Sequence, residues 1–497
     1  MGVIIRQSIQ NTVIAYVGVG LGFISTILLY PRVLTPDQYG LTRILISLTM
    51  VCTQFAHLGM KNTVTRYLPH FKETSSGKHG LLFLTVVVPM GGFLIFTILF
   101  FLFDDQLIYY YRDQSQLINR YYLYLLPLVG VVLYYEVLNS YVRALKDSVT
   151  GSFLNEVVMR ILIIALLILY SFGLFDFTLF MLLFVLVYAT EPLALLGYLY
   201  ARGELAFAIP FRDSSRKLAR NMLAYGTYTM LGGLTTILVS NIDIIMLGSM
   251  SNLANTAVYA IAFYVGSVIE IPKRSIAKIA TPIIADLSKE KNYDRIRDLY
   301  SRTSLTQIIG GSLLLVGIWA NMHNLMDLLP SEYHGGRWVI IVIGFAKLID
   351  MAAGVNGQII LHSRHYRFDL HTMILLVVLT AVTNYLLIPV YGILGAALAT
   401  AISIFIYNLI KYVFVWIKFS MQPLRREALW VLLIAAGCLL ASFQIPYMVN
   451  FVVDVTVRSL AIASVFLGLI LMFDLSDDVK RLTIETVRRI RAFLKNR

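Results

Sequence analysis

Four ionisable side chains interrupt an otherwise apolar stretch, VIEIPKRSIAKIATP, at residues 268–282. They are Glu270, Lys273, Arg274 and Lys278, and on an ideal helix they fall within an arc of about 140°. A charge at the centre of a bilayer costs at least about 2.5–3.5 kcal/mol, so such groups normally face a hydrated cavity or a charged partner. One acid cannot neutralise three bases, and the stretch therefore predicts uncompensated positive charge on one helix face.

Two further apolar stretches carry an acid and a base at helical spacing. Glu156 and Arg160 are four residues apart, and Lys347 and Asp350 are three apart. Such pairs meet on one face of a helix, as Glu270 and Arg274 would. Each pair has two open interpretations: a neutral intrahelical pair that fixes packing, or part of a charged cavity. For bases near a helix end, such as Lys278, anchoring at the interface is a third possibility.

Side chains that could support covalent catalysis or hold a metal are not grouped in the sequence. We find no Ser/His/Asp grouping, no metal-binding cluster and no phosphate-cradling glycine loop. His362, His365 and His371 are close in sequence, but a solvated interface explains them better than a metal. The sequence therefore predicts neither an enzyme nor a cofactor or metal site.

The composition identifies the element that must hold these charges, the transmembrane helix. Hydrophobic residues make up 58% of the 497 residues and charged residues 14%, with a mean hydropathy of +0.75. A soluble domain averages about 45–50% apolar and about 25% charged residues. Spanning helices need about 20 mostly apolar residues, and fourteen stretches qualify. They run approximately over residues 7–30, 40–60, 80–103, 118–142, 150–172, 176–200, 219–247, 254–284, 303–328, 336–362, 367–388, 392–417, 427–446 and 452–474.

The distribution of Lys and Arg predicts the direction of these spans. With the N-terminus inside, 29 of the 41 basic residues fall in inside segments, six fall outside and the other six lie within spans. Both termini are then cytoplasmic, and the net charge of +13 is mostly explained by the basic residues of the inside segments. It is therefore not a sign of nucleic-acid binding. The last inside segment is the C-terminal tail, which contains seven of these bases and predicts a basic amphipathic helix on anionic membrane lipids.

An internal similarity predicts two lobes. NTVIAYVGVGLGFISTILL at residues 11–29 aligns without gaps with NMLAYGTYTMLGGLTTILV at residues 221–239, at the starts of spans 1 and 7. The predicted fold is an all-α integral membrane protein of 14 transmembrane helices, with two pseudo-symmetric six-helix lobes and two C-terminal helices. The predicted domains are 1–205 and 206–419 for the lobes, 420–474 for helices 13 and 14, and 475–497 for the tail.

Three motifs allow a comparison with known families. PRVLTPDQYGLTR connects spans 1 and 2, VYAIAFYVGSVIEIP opens span 8, and TNYLLIPVYGILGAALATAIS covers spans 11 and 12. Together they resemble the polysaccharide flippases of the multidrug/oligosaccharidyl-lipid/polysaccharide superfamily, across essentially the whole chain. The first motif departs from the family pattern at Thr35, where Gly is usual. Pro36 and Gly40 are predicted to be turn residues, and Gly392 to mark the outer turn between spans 11 and 12.

The resemblance implies a flippase that moves an undecaprenyl-pyrophosphate-linked oligosaccharide across the bacterial inner membrane by alternating access. In that family, basic residues of a central cavity bind the pyrophosphate, a role that would fall here to bases within the spans. Polysaccharide polymerases and glycosyltransferases are further candidate partners. The candidate substrate-binding residues are Arg274, Arg160, Lys347, Lys273 and Lys278, with Arg32 and Arg43 at the outer mouth. The candidate ion-coupling acids are Glu270, Glu156 and Asp350.

Two other functions remain open at this stage. A cation-coupled multidrug exporter of the same superfamily would share the architecture but would want acidic, apolar-lined sites. A membrane enzyme, such as a glycan polymerase or ligase, would need catalytic groups and a large outer loop.

Overall fold

A computed structural model of the protein describes residues 2–71, 75–112, 116–205 and 216–481. All regular secondary structure in these ranges is helical, which confirms the predicted all-α class. Residues 482–497 of the predicted amphipathic tail lie outside the described residues. The helices are α1 (Gly2–Phe23), α2 (Tyr30–Val33), α3 (Pro36–Ala56), α4 (Met60–Phe71), α5 (Ser75–Leu102), α6 (Asp104–Arg112), α7 (Gln116–Tyr121), α8 (Leu125–Ala144), α9 (Val149–Phe153), α10 (Met159–Ser171), α11 (Phe177–Ala201), α12 (Arg216–Met250), α13 (Leu253–Ser267), α14 (Ile271–Lys289), α15 (Tyr293–Ala320), α16 (Met322–Leu328), α17 (Arg337–Ala352), α18 (Asn356–Leu361), α19 (Tyr366–Phe419), α20 (Arg426–Ser442) and α21 (Phe451–Met472).

In the described ranges, ten helical stretches, some of which join consecutive elements, are long and apolar enough to cross a membrane; the number is eleven if the pair α3–α4, bent by 47°, is one span. The 54-residue α19 holds predicted spans 11 and 12, with Gly392 between them in a left-handed conformation (φ 56°). The shorter α17 and α20, of 16 and 17 residues, hold predicted spans 10 and 13. The helices are therefore compatible with the predicted fourteen spans.

The chain forms two compact units, Met1–Ala260 and Ile261–Arg497. In the first, α8 packs against α3, α4, α5 and α11, around buried residues such as Val64, Leu138 and Leu195. In the second, α15 packs against α14, α17 and α20, and α17 packs against α19. The predicted lobe boundary at 205/206 adjoins residues 206–215, which lie outside the described residues, and it stays a prediction.

Several spans are interrupted by short segments of π- or 3₁₀-helix. A π-helical segment, Ile24–Leu29, follows α1, and another, Leu154–Val158, joins α9 to α10. A 3₁₀ turn, Val268–Glu270, precedes α14, whose first turn contains Pro272. Proline fits the first turn of a helix because its missing N–H has no helical partner there. Such breaks reorient the side chains beside them, and two of them adjoin the charged residues described below.

The predicted turn around Pro36 and Gly40 is wrong for both residues. Thr35 is the N-cap of α3: its hydroxyl accepts a hydrogen bond from the Gln38 N–H at 3.3 Å, and the Thr35 N–H donates to Gln38 Oε1 at 3.1 Å. This reciprocal capping lets Pro36 begin the helix. Gly40 is buried inside α3, where a Cβ would lie 1.9 Å from the carbonyl oxygen of Leu253. Gly40 therefore serves close helix packing.

A buried arginine joins the last two helices. Arg458 of α21 lies 3.0 Å from Asp454 one turn earlier, and both side chains are almost fully buried. Its guanidinium also donates to the carbonyl oxygen of Ser442 at 3.0 Å. Carbonyl groups at a helix C-terminus lack helical donors, so Arg458 caps α20 while it pairs with Asp454.

We predict that Gly40→Ala destabilises the protein, because the new methyl group would overlap main-chain atoms of α13 that cannot rotate away. Overpacking of this kind costs about 1–3 kcal/mol. Gly91→Ala in α5 is the matched control, since a Cβ there would meet nothing within 4 Å. Thermal unfolding in detergent should show a lower Tm for Gly40→Ala alone, and equal Tm values for the two variants would contradict the packing role.

Candidate functional site

Two charged segments of the second unit pair with each other. Lys347 Nζ of α17 lies 2.7 Å from Glu270 Oε2, at the N-cap of α14. Lys273, in the first turn of α14, forms an ion pair with Asp350 of α17. The two pairs follow in the same order along both segments, as expected of two spans that cross the membrane in one direction. We call these four residues the charge ladder.

The charge ladder differs from the pairing expected within each helix. Glu270 makes its close contact with Lys347, while Arg274 Nε stays 3.9 Å from the nearer carboxylate oxygen of Glu270. Asp350 pairs with Lys273 instead of Lys347. The 3₁₀ turn before α14 takes Glu270 out of the regular helix, so a spacing of four residues no longer places it directly beside Arg274.

Other side chains of the second unit contact the charge ladder. Its side chains are between 14% and 23% exposed, so water reaches them poorly. Asn408 of α19 donates a hydrogen bond to Asp350 Oδ1 at 3.0 Å, and Lys347 Nζ lies 5.6 Å from the ring centre of Phe263. Buried ion pairs are tolerated only when further hydrogen bonds meet the remaining donors and acceptors. Asn408 is thus a member of the site that spacing of charges did not identify.

Two exposed bases lie beside the charge ladder, and the only acid that either contacts among the described residues is Glu270, at 3.9 Å from Arg274. They are Arg274, whose side chain is 68% exposed, and Lys278, which is also exposed. Four residues apart on α14, they lie on one face of the helix. We call Arg274 and Lys278 the exposed doublet, and it carries the surplus positive charge predicted for this segment.

Another buried pair lies in α19. Lys411 Nζ lies 2.6 Å from Asp369 Oδ1 and also donates to the Tyr407 hydroxyl. The side chain of Lys411 is 3% exposed. The acids Glu270, Asp350 and Asp369 are therefore each held by a lysine. The remaining charge of this part of the unit is positive.

The first unit confirms the predicted pair of Glu156 and Arg160. Arg160 Nη2 lies 2.8 Å from Glu156 Oε2, and its Nη1 donates to the carbonyl oxygen of Gly18 at 2.7 Å. Glu156 is part of the π-helical segment before α10. A Cβ on Gly18 would lie 2.6 Å from Glu156 Oε2, so the glycine makes room for the acid. Arg160 thus connects α10 to the backbone of α1.

The two arginines of the predicted outer mouth also lie in the first unit. Arg32 is exposed in α2, and Arg43 is partly buried in α3. The Nε of Arg43 has no hydrogen-bond acceptor among the described residues. The structure therefore places Arg160, Arg32 and Arg43 in one unit and the charge ladder with the exposed doublet in the other. Their assignment as substrate-binding residues stays a prediction.

Three further charged residues of the first unit, Lys61, Glu136 and Glu191, also have polar partners. Lys61 Nζ lies 2.5 Å from Glu136 Oε2, and Asn155 donates to Glu191 Oε1 at 2.9 Å. Glu191 is 2% exposed. Across the described ranges, no group of three His, Cys, Asp or Glu side chains has the geometry to hold a metal ion.

Comparison of the sequence with known families identifies its relatives. Residues 4–288, more than half of the chain, match the family model described as polysaccharide biosynthesis protein. An uncharacterized membrane protein of Methanocaldococcus jannaschii is 22% identical over 82% of this chain and 83% of its own length. The probable low-salt glycan biosynthesis flippase Agl15 of Haloferax volcanii is 24% identical over 44% of this chain and 48% of its own length.

Solved structures of two membrane proteins have a similar fold. The lipid II flippase MurJ, in an inward closed conformation, superposes with a TM-score of 0.70 at 12% identity, over 94% of this chain and 100% of its own. An inward-facing MATE family transporter of the MOP superfamily gives a TM-score of 0.64 at 14% identity, over 84% and 98%. These likenesses show that the chain has the fold of a multi-pass membrane protein.

We predict that Asp350→Asn destabilises the protein, because it leaves the ammonium group of Lys273 partly buried without its counter-charge. Removing one partner of a buried pair costs on the order of 3 kcal/mol. The double variant Lys273→Met with Asp350→Asn removes both charges and should recover most of that loss. Thermal unfolding of the two single variants, the double variant and the native protein gives the coupling free energy.

Asp327→Asn is the matched control, since Asp327 is a half-exposed acid in the same unit. It should change the free energy of unfolding by less than about 0.5 kcal/mol. A double variant whose loss equals the sum of the two single losses would show that Lys273 and Asp350 are not coupled.

Proposed function

The chain belongs to the polysaccharide biosynthesis protein family, and from that membership we propose that it is a flippase for a lipid-linked oligosaccharide. The proposed substrate is an oligosaccharide on a polyprenyl pyrophosphate, with undecaprenol as the predicted carrier. The proposed location is a bacterial inner membrane with both termini in the cytoplasm. The similarity to Agl15, a probable low-salt glycan biosynthesis flippase, supports the proposed transport of a glycan precursor.

The exposed doublet is the observation that carries the proposal. A pyrophosphate is compact and multiply anionic, and a guanidinium group can bind two of its oxygens at once. Arg274 and Lys278 offer adjacent charges that neighbouring carboxylates do not neutralise closely. In this proposal Arg274 makes the bidentate contact, and Lys278 adds a second charge one helical turn further on.

The charge ladder has a different role in this proposal. Lys273 and Lys347 form ion pairs with Asp350 and Glu270. In this state they therefore position α14 against α17 and do not bind the phosphate directly. A carboxylate that takes up a proton would release its lysine and add one positive charge to the site. Glu270, Asp350 and Glu156 therefore remain the candidates for coupling transport to an ion gradient.

Transport of this kind needs no covalent step. We propose alternating access, in which the sugar and pyrophosphate cross through a hydrated path while the polyprenyl chain stays in the bilayer. The protein would then act as a carrier and not as an enzyme, with no cofactor. The expected partners are the glycosyltransferases that build the substrate and a polymerase that consumes it.

A cation-coupled multidrug exporter is the alternative, since MATE transporters share the fold. An exporter of organic cations would want carboxylates that are free to accept a positive guest. In the second unit, Glu270, Asp350 and Asp369 already bind lysines. This distribution of charge supports an anionic substrate over a cationic one.

We predict that Arg274→Ala lowers the flipping of a fluorescent polyprenyl-pyrophosphate sugar in proteoliposomes about tenfold or more. A charge-assisted hydrogen bond contributes about 1.5–3 kcal/mol, and 1.4 kcal/mol is a factor of ten. Arg295→Ala is the control, because Arg295 is an exposed arginine of the same unit outside the doublet. Lys278→Ala should give a smaller loss, since an ammonium group makes no bidentate contact.

Two outcomes would reject this assignment. One is undiminished flipping by Arg274→Ala at normal protein levels. The other is efflux of cationic dyes by the native protein with no transport of the pyrophosphate-linked sugar. That result would support the multidrug exporter instead.

A further inference from the structure

A cavity of about 620 Å³ lies at one end of the second unit, apart from the charge ladder and the exposed doublet. It is formed where α14 meets α15, where α18 leads into α19, and where α19 ends. Its lining includes Lys291, Arg364, Lys418 and His362. Ser288 of α14, also in the lining, is ten residues beyond Lys278, or about 15 Å along a helix. We call it the basic cavity.

The basic cavity is built by the ends of helices over an apolar floor. Lys291 and Ser420 both adopt left-handed backbone conformations, with φ of 57° and 54°, which turn the chain sharply after α14 and α19. Beneath them, Ile296, Ile359 and Met421 are almost fully buried. The concave surface is therefore supported by the packed core of the unit and does not depend on a single long loop.

The basic side chains that line the basic cavity have no acidic partners among the described residues, unlike other arginines of the same unit. Arg302 and Arg425 of the same unit, which do not line the cavity, both pair with Asp298, at 2.7 and 2.9 Å. Lys291, Arg364 and Lys418 form no ion pair with any residue that the structure describes. The described residues that line the cavity include no carboxylate. Three positive charges thus share one concave space without counter-charges.

The other lining groups suit a ligand that is larger than an inorganic ion. Tyr293 and Phe419 flank the space with ring centres 6.5 Å apart, and Ser288, Ser363 and Ser420 add hydroxyl groups. Pockets for organic ligands typically measure about 300–1,000 Å³, and this cavity falls in that range. A free phosphate ion would fill a small part of it.

We propose that the basic cavity binds the phosphate group of an organic phosphate on the predicted cytoplasmic side of the membrane. The three cations supply charge-assisted hydrogen bonds to the phosphate oxygens, and the aromatic rings contact the attached organic group. This ligand has two possible sources: the headgroup of an anionic phospholipid, or a soluble phosphorylated compound. The site goes beyond the proposed transport function, since it lies apart from the exposed doublet.

The test compares three full-length proteins in nanodiscs. The cavity variant carries Lys291→Gln, Arg364→Gln and Lys418→Gln together. The control variant carries Arg295→Gln, Arg297→Gln and Arg426→Gln, which remove the same three charges from exposed positions outside the cavity. The third protein is the native chain.

The lipid arm uses nanodiscs of phosphatidylcholine with phosphatidylglycerol and counts retained phosphatidylglycerol by native mass spectrometry. The soluble arm uses phosphatidylcholine nanodiscs and measures the Tm during titration with glycerol 3-phosphate. We expect binding by the native protein in at least one arm, unchanged binding by the control variant, and binding by the cavity variant that is weaker by about tenfold or more.

The arm that responds identifies the source of the phosphate. Binding in neither arm would overturn the proposal, as would an equal loss in the cavity and control variants, which would show an effect of overall surface charge. Retained binding by the cavity variant would also overturn it. Flipping by the cavity variant is measured in parallel, so that a failure of this proposal is distinct from a failure of the transport function.

Discussion

Charge inside a membrane must be paired or hydrated, and the charge ladder is where this constraint acts most strongly on the protein. Glu270 with Lys347, and Lys273 with Asp350, tie the start of α14 to α17 at two points. Replacing one charge alone would leave its partner in a poorly hydrated place, so the four residues function as a set. The hydrogen bond from Asn408 extends the set to α19.

The interruptions of the helices determine which charges are paired. Glu270, in the 3₁₀ turn before α14, lies 2.7 Å from Lys347 and 3.9 Å from Arg274. Lys347 is therefore its closer partner. In the first unit, a π-helical segment carries Glu156, and the absence of a side chain at Gly18 allows its approach to α1. Local backbone geometry thus divides the bases into two groups, those that hold helices together and those that remain exposed.

Much of the fold could be predicted from the sequence, because length and hydropathy are local properties. The fourteen predicted spans are compatible with the helices, and the turn at Gly392 was correctly predicted. The prediction for Gly40 was wrong because glycine is required there by the close contact with Leu253, more than 200 residues away in the sequence. That contact leaves no local signal in the sequence.

The candidate site shows the same division between local and distant information. Spacing identified the charged residues and the pair of Glu156 with Arg160, which lie on one helix. Spacing placed Glu270 near Arg274, which the structure confirms at 3.9 Å, but it did not identify the closer partners that Glu270 and Asp350 have across helices. The basic cavity was also missed, because its cations come from three connections that are distant in sequence. Pairing across helices depends on the tertiary fold, which periodicity does not encode.

The central claim is that the charge ladder neutralises its own four charges and leaves Arg274 to receive a phosphate. The most direct measurement is a structure of the full chain determined with a polyprenyl-pyrophosphate sugar bound. The account predicts pyrophosphate oxygens within hydrogen-bond distance of the Arg274 guanidinium, while Lys273 still contacts Asp350 and Lys347 still contacts Glu270. A pyrophosphate held elsewhere, with Arg274 out of contact, would contradict it.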